Sequence, residues 1–493
     1  MSLASTIDLA PRRPRPAAAH GWSTTLRVLA VTLVAVVLAL ALGVAAALSP
    51  TLALGAILGL TLVVVVGRRP EFAAYILIAA TPLVVGIDRD RLFPMLRPNE
   101  ALLGLLIGIL VARAVLLLRL DARPRISMGP VAMALTAMAV AGSVLPITFM
   151  VLRGREVEMD DITHAAVMWK NLAIFALVRY TIRTQAQVRV CIWVSMSVAV
   201  VVGFLAIAQS LGILGVRELL MPWYASFGYT DVFADPRAGS TIGLPAATAD
   251  FMILNLALAI GLWWKDRTAA WLIAPAGLVY VMATFAAAEF SSALGLVVGM
   301  VTVAALLGRL DLLRYGFLVL PVAVVALWPT VEHRIVEFQS MHGIPRSWLV
   351  RWYNLETYFW PDLFSGTNPI LGVRPSARAR AEGAFGYVWI ESGYTWLLWA
   401  GGVFLFGAFV YFVWVALKTM RRLSRELTSY SSVAALAGFV GVTVVVVLMV
   451  FDPHITYRGF ADALYTVLAL ALVQRSQAAS PSTAAESHQE ATR

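Results

Sequence analysis

The sequence predicts an all-α, polytopic membrane protein of about 14 transmembrane helices (12–14) with one long extracytoplasmic loop that contains amphipathic helices. Three observations predict it. Hydrophobic residues make up 60% and charged residues 13% of the 493 positions, against roughly 45–50% and about 25% in soluble domains. Apolar runs near the length needed to span hydrocarbon recur along the chain, and the mean hydropathy is +0.81. Basic residues sort by side once the runs are numbered. This composition excludes a disordered chain, a coiled coil, a fibrous repeat and a disulfide-stapled domain. The single cysteine, Cys191, excludes a Cys-based metal site and an internal disulfide, and its apolar surroundings read as those of a small buried hydrophobe.

The runs cover residues 27–48, 51–66, 71–87, 100–118, 129–150, 162–182, 187–214, 245–264, 268–287, 291–308, 312–330, 388–417, 431–451 and 458–475. The second, third and last are short. The first exceeds a signal-peptide core and follows a polar start, so it reads as a retained span. Residues 1–26, rich in Pro, Arg and Ala, and the small polar stretch 476–493 read as disordered cytoplasmic tails. Between them, 27–475 forms a single transmembrane domain.

With the N-terminus inside, 23 of the 38 Lys+Arg fall on the inner side and 14 on the outer side, with Lys170 inside a span. Of the 28 acidic residues, 18 fall outside. A slip of one span would invert this bias, so an even count with both termini cytoplasmic is favoured. The net charge of +10 is therefore a matter of topology and implies no nucleic-acid partner.

All outer basic residues are Arg, and they gather in two long outer loops, 215–244 and 331–387, with a third of intermediate length at 86–99. Arg offers a planar fork that grips phosphate oxygens, and it equally pairs with carboxylates. In RSWLVRWYNLETYFWPDLF, Trp348, Leu349, Trp352, Leu355 and Phe359 recur at helical spacing, which predicts an amphipathic helix at the membrane interface. In DPRAGSTIGLPAATADF, Arg237 precedes small residues that can cradle an anion at a helix start or simply punctuate a junction. Lys170, Asp250, Glu391 and Asp462 fall at membrane depth, where ionisable groups default to function or to a partner. Glu391 opens the late span among Trp389, Tyr394, Trp396 and Trp399, an aromatic-lined carboxylate suited to a sugar. The last outer turn holds Asp452, His454, Tyr457 and Arg458; His454 is either a base or a loop residue bonded to Asp452.

Taken in order, these pieces resemble the O-antigen ligase and O-antigen polymerase superfamily of bacterial envelope glycosyltransferases. The similar segments are KNLAIFALVRYTIRT, DPRAGSTIGLPAATADF, EFSSALGLVVG, RSWLVRWYNLETYFW with NPILGVRPSA, and WIESGYTWLLWAGG. They depart from it at Ser291 and Ser292, where the family carries an Arg, and at Val373-Arg374. Ligases of the family have a His before the late span; here GAFGYVWIESGY has none, which favours a polysaccharide polymerase over a ligase. The resemblance implies a multi-pass protein of the bacterial cytoplasmic membrane. It implies inverting, metal- and cofactor-free transfer of a glycan from a polyprenyl-diphosphate carrier to an acceptor sugar on the outer face. Its partners would be the lipid-linked glycan, the growing polysaccharide, membrane lipids and proteins of chain-length control or export. On that reading Arg237, Arg351, Arg374 and Arg458 hold the donor diphosphate, Glu391 or His454 serves as the base, and Trp352, Trp389 and Tyr394 contact the acceptor sugar.

Two rival readings come from other residues. Asp88 and Asp90 form Asp-x-Asp, which suits a metal-dependent transferase, although Arg89 and Arg91 interleave as ion-pair partners. Fourteen spans also fit a lipid-linked-oligosaccharide flippase, although no related halves are visible. The charge sorting predicts that a fluorescent reporter fused to the C-terminus is active, and that alkaline phosphatase fused there is not. The opposite pair of results would invert the topology.

Overall fold

Hydrocarbon leaves every backbone N–H and C=O to be satisfied within the protein, so the spanning elements are helices. The computed structural model is helical almost throughout, and describes residues 50–89, 91–93, 95–119, 129–224, 237–328, 332, 335, 346–381 and 386–473. The expected tails and the first run, 27–48, lie outside the described residues, as do Asp90, Arg334 and the stretch 225–236. Helix α1 (Pro50–Arg68) belongs to a separate unit that ends at Arg68, and a second, larger unit runs from Arg69 onward.

In chain order the larger unit contains α2 (Glu71–Val84), α3 (Pro98–Arg119), α4 (Pro130–Ala141), α5 (Val144–Leu152), α6 (Met159–Thr181), α7 (Gln185–Leu211) and the short α8 (Val216–Tyr224). Then come α9 (Pro245–Lys265), α10 (Ala270–Ala286), α11 (Phe290–Leu307) and α12 (Leu313–Ala326). Helix α13 (Arg346–Asn354) runs through a π-turn (Leu355–Phe359) into α14 (Trp360–Leu363), and α15 (Asn368–Leu371) follows. A small antiparallel hairpin, β1 (Arg378–Arg380) with β2 (Tyr387–Trp389), leads to α16 (Gly393–Ser424), α17 (Tyr430–Leu448) and α18 (Phe460–Ala471). Among the described residues, 8 helices are long and apolar enough to cross a membrane, and each coincides with an expected run. The apolar parts of α1, α2 and α18 are shorter, α12 has 14 residues, and the 23-residue α6 carries Asp160, Asp161, Lys170 and Arg179.

Local sequence sets the helix ends. Thr184 and Ser429 cap α7 and α17 through capping boxes, and Pro130 and Pro245 sit at first-turn positions where a missing N–H costs nothing. Helices α9 and α17 are buried on nearly all sides and form the centre, with α7, α10, α11, α16 and α18 packed around them. Small residues allow the close approach: Gly295 and Gly299 of α11 lie against Ile253 of α9 and Val444 of α17. Buried polar groups are tied across helices, Ser195 to Asn255 at 2.8 Å and the Tyr280 hydroxyl to the Met196 carbonyl at 2.7 Å.

The late span begins at Gly393, so Glu391 lies in the extended segment before the helix rather than within it. That helix breaks at Gly401-Gly402, where Gly402 has φ 60°. The break exposes the Trp399 carbonyl, which accepts from Val373 N at 2.7 Å. The NPIL turn of α15 docks into the gap, with Ile370 and Gly372 against the paired glycines. Arg153, at the end of α5, locks this turn by donating to Asn368 at 2.7 Å and to Thr367 at 3.0 Å.

Among the described residues, ion pairs cross-link several connections expected outside: Glu158, Asp160 and Asp161 to Arg374, Arg378 and Arg380, Arg237 to Glu289, and Arg351 to Glu391 and Asp452. In the basic turns expected inside, Arg179 donates to the Leu472 carbonyl at 2.7 Å and Lys265 lies over the Tyr430 ring. A Cβ at Gly402 would strike the Ile370 carbonyl, and the backbone angle disfavours any other residue. Gly402→Ala is therefore expected to cost about 2–4 kcal/mol. Thermal unfolding of the purified protein checks this; an unchanged melting temperature would contradict the docking.

Candidate functional site

Helix α13 is held by two side chains one turn apart. Trp348 packs edge-on against Phe290 at 5.3 Å and beside Phe451 at 5.6 Å. Arg351, three residues on, reaches Asp452 at 3.0 Å and Glu391 at 3.6 Å. Leu355 and Phe359 continue the buried face, with Phe359 against Trp399. Leu349 and Trp352, also on the expected apolar face, are exposed on the protein surface. Arg351, Leu355 and Phe359 share one stripe at successive four-residue steps, and a π-turn occupies Leu355–Phe359.

Around Arg351 the charges are dense. Burial pushes the Glu391 carboxyl above its ordinary range, against the opposing pull of the Arg351 charge and a hydrogen bond from Asn354. Burial also raises Asp452, and the Tyr457 hydroxyl donates to that carboxylate. The paired guanidinium of Arg351 is held above its usual range by Asp452 and Glu391, which outweigh its burial. Glu289 is close enough for its charge to act on Arg351, Asp452 and Tyr457, and Arg237 pairs with Glu289 at 3.4 Å. Arg237 thus borders this centre.

His454 is fully buried, and its Nδ1 meets Asp250 of α9 at 2.5 Å. The partner is Asp250 and not the Asp452 side chain; Asp452 offers only its backbone carbonyl to His454 N. The Nε2 of His454 makes no hydrogen bond among the described residues.

A second group lies on the hairpin side. Arg374 clamps the buried Asp161 with two bonds, 2.9 and 2.6 Å, and reaches Glu158 at 3.4 Å. These partners hold its guanidinium above the usual range. Arg378 and the Ser376 hydroxyl both hold Asp160, and Arg378 also lies over the rings of Tyr387 and Trp389 at 4.8 Å each. Beside them opens a cavity of about 620 Å³ lined by Arg155, Glu158, Asp362, Arg380, Tyr358 and Tyr387, among others. Mixed charges and ring faces of this kind suit sugar hydroxyls.

The remaining expected residues divide. Trp389 borders the hairpin group. Trp352 is exposed and packs edge-on against Trp360 at 4.9 Å. Tyr394 donates its hydroxyl to the Val446 carbonyl at 2.6 Å, which ties α16 to α17. Arg458 lies in a third group with Arg89, Arg97, Asp88 and Glu100. The Gly239–Gly243 turn is no open cradle: Ser240 N donates to Gln209, Thr241 Oγ1 to the Pro82 carbonyl, and Gly86 N to the Thr241 carbonyl. Lys170 and Asp462, both expected at membrane depth, pair with each other at 2.7 Å. Among the described residues no cluster of His, Cys, Asp and Glu is arranged to hold a metal ion.

Sequence reasoning missed Asp452 as the partner of Arg351 and the acidic turn of Glu158, Asp160 and Asp161 as the partner of Arg374, Arg378 and Arg380. The run EVEMDD is a legible signal, because so dense an acidic turn is stabilised by a facing basic segment such as that of Arg374, Arg378 and Arg380. No protein-family model matches the chain, and no curated protein resembles it in sequence.

Removing Asp161 would strand the Arg374 guanidinium and the Ser376 N–H that it also accepts. Asp161→Ala is expected to cost about 2–4 kcal/mol, read as a fall in melting temperature. Wild-type stability in that variant would make the clamp irrelevant to folding.

Proposed function

We propose that this protein is a glycosyltransferase of the extracytoplasmic membrane face. It would polymerise glycan repeat units carried on a polyprenyl diphosphate, with Glu391 as base and Arg351 at the reaction centre. One observation carries the reading: a carboxylate of raised affinity for protons, next to a half-buried arginine and a second carboxylate, in the segment before a long helix of the bundle.

The chemistry balances with these groups alone. The acceptor hydroxyl oxygen attacks the anomeric carbon of the donor, and its proton passes to Glu391. The bond between that carbon and the diphosphate oxygen breaks, and the electron pair leaves with the polyprenyl diphosphate. Attack from the face opposite the leaving group inverts the anomeric centre. A base whose proton affinity is raised by burial lies nearer the working pH than an ordinary Glu. Arg351 offsets the charge of Glu391 when it is ionised, and Arg237, paired with Glu289, lies at the edge of the site toward the diphosphate. The cavity beside the hairpin offers Tyr358 and Tyr387 for sugar faces and Glu158 and Arg380 for hydroxyls. In this reading it seats the growing chain, and the ligase alternative would place a lipid acceptor there.

Glu391→Gln is expected to lower elongation by about 10²–10⁴-fold, and Arg351→Ala by about 10²–10³-fold, at normal protein levels. Polymer length in cells and rates in purified membranes measure both. Because the Glu391 pKa is raised and the base is the ionised form, the wild-type rate rises with pH through a titration above the ordinary carboxylate range. Normal polymer from both Arg351→Ala and Arg351→Lys would refute the role of Arg351.

A further inference from the structure

The turn between α17 and α18, residues 449–459, gathers the parts of the Arg351 centre. Its first carbonyl, at Met449, accepts from Gly393 N at 2.7 Å and from Tyr394 N at 3.2 Å, which places the segment carrying Glu391. Phe451 packs beside Trp348, and Asp452 meets Arg351. The far end of the turn is fixed by Asp462, which accepts from Gly459 N at 3.0 Å and pairs with Lys170 of α6.

The middle of the turn is held by His454. Its Nδ1 lies 2.5 Å from Asp250 Oδ2, and each of the two side chains is 1% exposed. A carboxylate only accepts, so Nδ1 carries a proton in this pair. Asp250 belongs to α9, which is buried on nearly all sides, so the pair ties the turn to the centre of the bundle. His454 also acts within the turn. Its N donates to the Asp452 carbonyl at 2.7 Å, its carbonyl accepts from Tyr457 N at 3.1 Å, and its ring lies 4.5 Å from the Tyr457 ring. Tyr457 in turn donates its hydroxyl to the Asp452 carboxylate. Contacts thus run from Asp250 through His454 and Tyr457 to Asp452 and Arg351.

The same burial keeps His454 from acting on substrate. Its Nδ1 is taken by Asp250, and its Nε2 is buried without a hydrogen bond among the described residues. A general base must come within hydrogen-bond reach of the hydroxyl it deprotonates, directly or through one water. A ring nitrogen enclosed in the bundle offers a glycan hydroxyl no such contact. We propose that His454, held by Asp250, is a positioning residue that sets Asp452 against Arg351 and takes no proton from substrate. Its effect on catalysis rests on the glycosyl-transfer reading; the placement of Asp452 does not.

The test uses the purified full-length protein, with elongation kinetics and thermal unfolding as readouts. His454→Ala removes the tie to Asp250 and the ring beside Tyr457. It is expected to lower kcat by about 10–100-fold with KM little changed, because a displacement of about 1 Å can cost that much. His454→Asn returns a donor near the place of Nδ1 and has no Nε2, and is expected to recover most of the lost rate. Because His454→Ala strands a buried carboxylate, Asp250→Asn is combined with it; the pair is expected to unfold at a higher temperature than His454→Ala and to stay as slow. Equal loss in the Ala and Asn variants would make His454 the base and overturn the proposal. A wild-type rate in His454→Ala, alone or with Asp250→Asn, also overturns it. A second set needs no substrate: His454→Ala, Arg351→Ala and the two together are compared for stability. Since one turn serves both residues, the losses are expected to fall short of additive, and additive losses would show independent sites and overturn the placement. If the wild type itself joins no glycan, the transferase reading fails, and this cycle alone decides whether His454 sets the turn.

Discussion

A guanidinium largely withdrawn from water must be neutralised where it lies, and in this protein that constraint falls on the half-buried Arg351. Two carboxylates from distant parts of the chain, Glu391 and Asp452, converge on it. The contacts join the loop helix α13 to the segment before α16 and to the turn before α18. Trp348 fixes the same helix by packing between Phe290 and Phe451. One ion cluster thus positions the long loop, raises the proton affinity of Glu391 through burial, and brings Arg237 and Glu289 to its edge. Isolated surface pairs contribute little to stability. This cluster matters because its groups are largely withdrawn from water, where losing one partner leaves another charge unpaired.

The second anchor of the loop is purely steric. The Gly401-Gly402 break opens α16, and α15 fills the opening, with Arg153 locking it from α5. The helix break and the loop are parts of one joint, since the carbonyl freed at Trp399 is satisfied by the loop backbone at Val373. Arg374 follows immediately and clamps Asp161, so the hairpin and its cavity are carried by the same joint. Rigid elements on both sides allow a site on a long loop to keep a fixed geometry.

Much of this was legible in the chain. Hydropathy located the helices because each apolar run must satisfy its own backbone in lipid. Arg237 and Arg351, both singled out in the chain, border one ion cluster, whereas Arg458 joins another with Asp88. The place of Arg351 on the packed side of α13 was not legible, because a charged residue reads as water-facing until its carboxylate partners, Glu391 and Asp452, are known. The partners of charged residues were not legible either. His454 pairs with Asp250 across 204 positions, and Arg374 with Asp161 across 213. Local spacing carries no information about such pairs. Tyr394 shows the same limit: its place among aromatics suggested a sugar wall, yet its hydroxyl is engaged by a neighbouring helix.

If bond formation occurs at Arg351 and Glu391, as proposed, this bundle is not a passage for the lipid-linked glycan. Release of the carrier separates the two directly. Purified protein in proteoliposomes is supplied with a defined polyprenyl-diphosphate-linked repeat unit, and free polyprenyl diphosphate is measured beside glycan length. One carrier is expected to be released for each repeat unit joined, with both products lost in Glu391→Gln. Movement of intact lipid-linked glycan across the bilayer, with no carrier released and no chain growth, would contradict the proposed reaction.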